Sequence, residues 1–358
     1  MKKPAILLVI VNALAVSTLP AALASNSSSG NPSSPQRATD VSRAVDFAVT
    51  PPLRKMPVIQ PRASDVLDER EDDPTPIDTG HSGDGALQAQ AAAPQIPKPI
   101  RTFEGLRNRS GVIPPDPVGD VGPNHYVEMV NLSFAIYSKT GTKLFGAAAL
   151  GTLWQDFLPD CEEDSGDPIV LYDEMADRWL LSQFTTTGPE YYNCVALSTT
   201  GDPLGSYYLY AFSTGPNFPD YPKYGVWPDA YYITTREFDA NDVYVGVGIY
   251  AVDRTQMLAG NPTPQQVSFF LDRDPMYLPG DGLLPAELDG TTPPPSGSPE
   301  YLVGSMDDGA TYGAPSDALN VFEVDVDWTN PLTSTFTHTA TVGIAPFDTI
   351  FPCLADQS

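Results

Sequence analysis

Tyr137-Ser138-Lys139-Thr140, Leu197-Ser198-Thr199-Thr200, Val252-Asp253-Arg254-Thr255 and Val326-Asp327-Trp328-Thr329 are four versions of one phrase: an apolar residue, Ser or Asp, any residue, then Thr. Each closes a short apolar run. Upstream of each lies an apolar-aromatic segment: Tyr126–Asn131, Trp179–Phe184, Tyr231–Thr235 and Tyr301–Ser305. These segments begin 53, 52 and 70 residues apart. A repeat of about fifty residues, with several short strands per unit, predicts an all-β fold of the β-propeller type. The upstream segments are apolar on both faces (Trp179-Leu180-Leu181, Tyr231-Tyr232-Ile233). That predicts the inner position of each blade, where stacked sheets cover both sides. The Ser or Asp of each phrase predicts a hairpin corner, its side-chain oxygen accepting the backbone N–H two residues on.

On this reading the units run over 112–160, 161–218, 219–298 and 299–345: about four blades, followed by a stub from Thr349 to Ser358. Gly215–Pro222 reads as a Pro-rich link between the second and third blades, and Asn261–Gly297 as an insertion that decorates one face. An array that stops mid-architecture, with Cys353 lacking a mate, is expected to be the truncated form of a longer protein.

The sequence before the repeats differs in character. Residues 1–24 have the form of a secretory signal: Lys2 and Lys3, an apolar centre from Ala5 to Val16, and Ala22-Leu23-Ala24 before Ser25. Ser17, Thr18 and Pro20 interrupt the apolar stretch before it is long enough to span a bilayer. Residues 25–100 are rich in Ser, Pro, Asp and Ala and hold one aromatic, Phe47, so they are expected to be a disordered linker or pro-segment. Within them Ala38–Val49 has the spacing of one or two amphipathic turns. Residues 101–358 are expected to form the β-propeller domain.

A net charge of −26, from 19 basic and 45 acidic residues, excludes nucleic acid and anionic membrane surfaces as partners. An extracellular or periplasmic location follows from the signal, with a monomer and a glycan or protein ligand as the expectation. Cys161 and Cys194 flank one apolar strand and are the natural disulfide pair in an oxidising compartment. With three histidines (His81, His125 and His338), a His-rich zinc site is excluded. No phosphate-cradling Gly-Lys-Ser/Thr loop and no Gly-x-Ser-x-Gly elbow occurs.

Longer motifs carry a resemblance. Pro115-Asp116-Pro117-Val118-Gly119-Asp120-Val121-Gly122-Pro123-Asn124-His125-Tyr126-Val127 is the first, and Gly166-Asp167-Pro168-Ile169-Val170-Leu171-Tyr172-Asp173 the second. With Ala176-Asp177-Arg178-Trp179 and Gly225-Val226-Trp227-Pro228-Asp229-Ala230-Tyr231-Tyr232, they make residues 101–358 resemble a widespread group of exported bacterial proteins with a propeller domain and no assigned activity. A lesser likeness is to the invertase and arabinanase-type glycosidases, which set an Asp-Pro on the first and second blades and a Glu before a proline on the third. Asp116-Pro117 and Asp167-Pro168 match; on the third blade Val226 stands about where the acid is due. Ser305-Met306-Asp307-Asp308-Gly309-Ala310-Thr311-Tyr312 is similar to a single sialidase-type Asp box.

Two functional readings follow. The first is a secreted binding or surface-interaction module without cofactor. The alternative is a glycoside hydrolase using aspartates at the propeller mouth, with Asp116, Asp120, Asp167 and Asp229 as catalytic candidates. Glu162, Glu163, Asp164 and Asp167 crowd hard oxygen ligands into one loop and are the calcium candidates.

Overall fold

The computed structural model describes residues 34–62, 98–280, 282–309 and 312–347. The signal over 1–24, much of the expected linker and the stub with Cys353 lie outside the described residues. Among the described residues nineteen strands pair antiparallel into four sheets. Three come first in the chain: β1 (Gln36–Arg37), β2 (Asp40–Arg43) and β3 (Asp46–Val49). Blade one is β4 (Val118–Val121), β5 (His125–Val130), β6 (Ser133–Ser138) and β7 (Lys143–Ala149). Blade two is β8 (Ile169–Asp173), β9 (Arg178–Phe184), β10 (Tyr191–Ser198) and β11 (Tyr207–Gly215), with β3 added outside β11. Blade three is β12 (Phe218–Val226), β13 (Ala230–Phe238), β14 (Tyr244–Asp253) and β15 (Gln265–Asp272), with β2 outside β15. Blade four is β16 (Leu284–Pro285), β17 (Glu300–Met306), β18 (Ala318–Asp325) and β19 (Thr335–Gly343), with β1 outside β19. Successive blades touch through their first strands, β4 on β8, β8 on β12 and β12 on β16. This is the propeller arrangement the repeat predicts.

Several sequence expectations change in detail. The doubly apolar segments are the second strands, β5, β9, β13 and β17, not the innermost ones. In blades two and three the second strand is flanked within its sheet and covered on both faces by neighbouring blades, so it carries the long apolar run, whereas β17 alternates buried and part-exposed residues. The inner strands β4, β12 and β16 are short or interrupted by Gly or Pro, which hides them from a hydrophobicity reading; β8 alone is an apolar run. Asn261–Gly297 is no decoration either, because it supplies the outer strand of blade three and the inner strand of blade four. Gly215–Pro222 likewise enters a blade: β12 begins at Phe218, and its register shifts between Asp220 and Lys223. A bulge there accommodates Pro222, which has no N–H for a ladder. The corner expectation holds for Ser138 and Asp327, which accept from Thr140 N and Thr329 N. Asp253 instead accepts from Gln256 N and caps a short helix, while the Ser198 hydroxyl donates to Thr200 O.

The largest correction concerns residues 34–62, the main described part of the linker expected over 25–100. The chain from Gln36 to Ile59 runs as a belt around the outer rim. It pairs β1 with blade four, β2 with blade three and β3 with blade two. Ala149 N of blade one then donates to Ile59 O at 2.9 Å. Leu53 is fully buried in the hydrophobic cluster that blades one and two share. Ala38–Val49 is thus strand, not amphipathic helix. A belt strand needs only a waiting sheet edge for its hydrogen bonds, so its low hydrophobicity does not exclude order.

Cys161 and Cys194 form the expected disulfide, with both residues buried. Among the described residues no helix is long and apolar enough to cross a membrane.

Candidate functional site at the inner-strand mouth

Asp116-Pro117, Asp167-Pro168 and Tyr221-Pro222 stand at the same place on three successive blades, where the inner strand begins or bulges. The residue before each proline has a left-handed backbone: φ is 37° at Asp116, 41° at Asp167 and 49° at Tyr221. An L-residue before proline is normally extended, and for Tyr a positive φ is a true outlier. Strain of this kind persists only where surrounding contacts enforce it. Here they do. Asn131, just after β5, donates from Nδ2 to Asp116 Oδ2 at 2.9 Å and accepts at Oδ1 from Asp167 N at 2.9 Å. Asp167 Oδ2 in turn accepts from Tyr221 N at 3.1 Å. Three blades therefore meet through one buried amide and one buried carboxylate.

Lys223 completes the mouth. Its Nζ lies 3.2 Å from the centroid of the half-exposed Tyr221 ring. Burial lowers the lysine's proton affinity; the carboxylates of Asp167, Asp116 and Asp220 work in the opposite direction, and Arg236 reinforces the lowering. Asp220, itself buried, sits opposite Arg236 in the β12–β13 ladder. The result is three carboxylates, an ammonium, a guanidinium and an aromatic face in one neighbourhood. Such a set accepts hydrogen bonds from hydroxyls, donates to ether or carbonyl oxygens, and offers apolar area to a sugar ring.

The four catalytic candidates are not brought together. Asp116 and Asp167 share this mouth. Asp120 lies four residues further along its strand, about 13 Å of extended chain. It accepts Tyr172 N at 2.6 Å and so ties blade one to blade two. Asp229 lies past the far end of β12, where it accepts from Tyr232 Oη at 3.1 Å. The third-blade counterpart of Asp116 and Asp167 is therefore Tyr221, not a position beside Val226. The calcium candidates separate too. Glu162 and Glu163 are exposed, Asp164 Oδ1 accepts Gly151 N at 2.9 Å, and Asp167 belongs to the mouth. Burial raises the Asp164 carboxyl above its usual range, while the Gly151 N–H and Arg62 pull it back. Among the described residues the one group of three carboxylates at metal-binding spacing is Asp307, Asp308 and Asp317, which includes both aspartates of the Asp box. In that box Gly309 N donates to Asp307 Oδ1 at 2.6 Å, which closes the turn.

Asn131, Asp220, Tyr221, Lys223 and Arg236 escaped the sequence reading. The signal that finds them is the third X-Pro pair, with Tyr in place of Asp.

No protein-family model matches this sequence, and no curated protein matches it. Among solved structures, a GH32 β-fructofuranosidase of Bombyx mori is similar at 14% identity and TM-score 0.34, over 60% of this chain and 48% of that one. The chain thus spans about half the length of that enzyme. A Bifidobacterium bifidum protein described as an exo-β-1,3-galactanase is similar at 12% identity and TM-score 0.31, over 67% of this chain and 93% of that one. A Parabacteroides distasonis protein described as a glycoside hydrolase gives 11% identity and TM-score 0.31, over 65% and 74%. Likenesses of this size decide nothing about chemistry, which rests on the geometry above.

Proposed function

We propose that the chain is an exported carbohydrate-active hydrolase working at the mouth formed by Asp116, Asp167, Asp220, Tyr221 and Lys223. The observation that carries this reading is the convergence of the Asp116 carboxylate and the Asp167 backbone N–H, from two blades, on the single side chain of Asn131, with the Asp167 carboxylate turned to Tyr221 N. Glycosidic cleavage needs a carboxylate as base or nucleophile and a proton donor for the leaving oxygen. The Asp116 and Asp167 carboxylates supply the first function. Lys223, whose ammonium gives up its proton more readily because it is buried, supplies the second. Tyr221 offers a platform for the apolar face of a sugar ring. The secretory form of residues 1–24 and the Cys161–Cys194 bond support work outside the cytoplasm.

A glycan-hydrolysis screen on the full-length protein tests this. Turnover should fall by at least about a hundredfold in Asp116→Asn, Asp167→Asn and Lys223→Met variants that keep the native circular-dichroism spectrum. Turnover that survives all three substitutions would sink the proposal.

One observation favours a second reading, a binding module without turnover: the Asp116 and Asp167 contacts also hold the blades together. On that reading glycan arrays show binding with no product, and the two Asp→Asn changes mainly lower Tm, each by the worth of about 1 kcal/mol.

A further inference from the structure

At the far end of the inner strands two acidic side chains flank the junction of blades three and four. Glu300 opens β17 and is 0% exposed, yet neither of its carboxylate oxygens has a hydrogen-bond partner. The neighbouring N–H groups of Ala286 and Tyr301 temper its charge without forming bonds of good geometry. Asp229, on the blade-three side, uses Oδ2 for the Tyr232 hydroxyl and leaves a buried Oδ1 without a partner. Asp229 is among the charges that act on Glu300, and both bear on Tyr232.

A buried carboxylate without a cation or donor is costly, and a second one beside it raises the cost. Both Glu300 oxygens and Asp229 Oδ1 lack a hydrogen bond of good geometry, although the Trp328 indole N–H lies near Asp229, and carboxylate oxygens left so are the ligand type a hard cation takes. No lysine or arginine figures among the groups acting on either carboxyl.

We propose that Glu300 and Asp229 bind a divalent cation, calcium by preference, which clamps blade four to blade three. Carbonyl and water oxygens complete its shell. The site lies at the opposite end of the inner strands from the mouth and is independent of whether the mouth hydrolyses glycans. It is also distinct from the loop carboxylates Asp307, Asp308 and Asp317, which close their own turns.

The test uses the full chain with its disulfide intact, stripped with chelator and desalted, at pH 7.5. Calcium chloride is titrated calorimetrically, and thermal unfolding is followed with and without millimolar calcium. The expected result is binding with a Kd of about 0.1–1 mM, the range of extracellular calcium modules. Tm should rise by about 3–8 °C at saturation. Glu300→Gln and Asp229→Asn should each weaken calcium binding at least about tenfold, and Asp308→Asn should leave it unchanged. Should Glu300→Gln not fold, Asp229→Asn gives the same reading. Three results overturn the proposal: no heat and no Tm response in the unmodified protein; a response that persists in the Glu300 and Asp229 variants; or one that only Asp308→Asn removes. A Glu300→Gln protein that is more stable than the parent, with calcium inert toward both, would show that a proton, not a cation, neutralises the site.

Discussion

Arg254 reaches across from blade three to grip Asp173 of blade two: Nε lies 2.7 Å from Oδ2 and Nη2 lies 2.9 Å from Oδ1. Asp173 is 0% exposed, and Tyr231 Oη donates to its Oδ2 at 2.8 Å. The pair joins the last residue of an inner strand to the third residue of a repeat phrase. Removing one partner leaves a buried charge alone. Arg254→Met is expected to cost about 3–5 kcal/mol in urea unfolding. Asp173→Asn combined with Arg254→Met should recover part of that loss, and a double variant as unstable as the single one would contradict the account.

The belt is expected to be necessary for stability. Deleting residues through Arg62 removes edge strands from three blades and the buried Leu53. The deletion should expose the remaining sheet edges and give a protein that aggregates or melts well below the parent. The finer probe is Leu53→Ala, expected to cost about 2–5 kcal/mol. A trimmed protein with unchanged Tm would restore the linker reading.

Cys161 and Cys194 tie the loop after blade one to β10, over a sequence separation of 33 residues. A closed loop of this size should contribute roughly 3–4 kcal/mol by restricting the unfolded chain. Changing both to Ala should lower urea-unfolding stability by about that amount while the circular-dichroism spectrum stays native. Thiol titration of the unmodified, unfolded protein should find neither of the two free.

Stability should fall as pH rises through neutrality. Burial pushes Glu237 up to about 7, against the pull of hydrogen bonds from Tyr250, Asn217 and Thr235. The folded protein thus keeps a proton that the unfolded chain loses near its ordinary carboxylate range. Between that range and about pH 7 the folded state binds more protons, so unfolding free energy declines with pH. The stabilisation is fully present below the unfolded pKa and is lost through the folded one. The Glu237 share of the decline is about 3 kcal/mol. In calcium-free buffer, the Tm–pH slope of Glu237→Gln should be shallower than that of the parent from pH 5 to 8. An identical slope would remove Glu237 from the explanation.

The chain's own residues determined the repeat, the four blades of the described residues, the apolar strand of each (though not its second place in the sheet) and the disulfide. These are local signals: doubly apolar runs arise because two neighbouring sheets cover the same strand, and they survive without knowledge of what covers them. Tertiary structure alone decided the rest. The inner strands Val118–Val121 and Leu284–Pro285 are too short and too polar to announce themselves, and they form because the blade next door presents a surface for them. The belt at Gln36–Val49 becomes strand because open sheet edges already exist for it to join. The mouth residues illustrate the same limit. Asp116 and Asp167 stood out through their prolines, but Asn131, Asp220 and Lys223 gain meaning only when three blades bring them to one point. Hydrogen bonding and charge act over a few ångströms in space, and no spacing along the chain encodes which distant residues will share those ångströms.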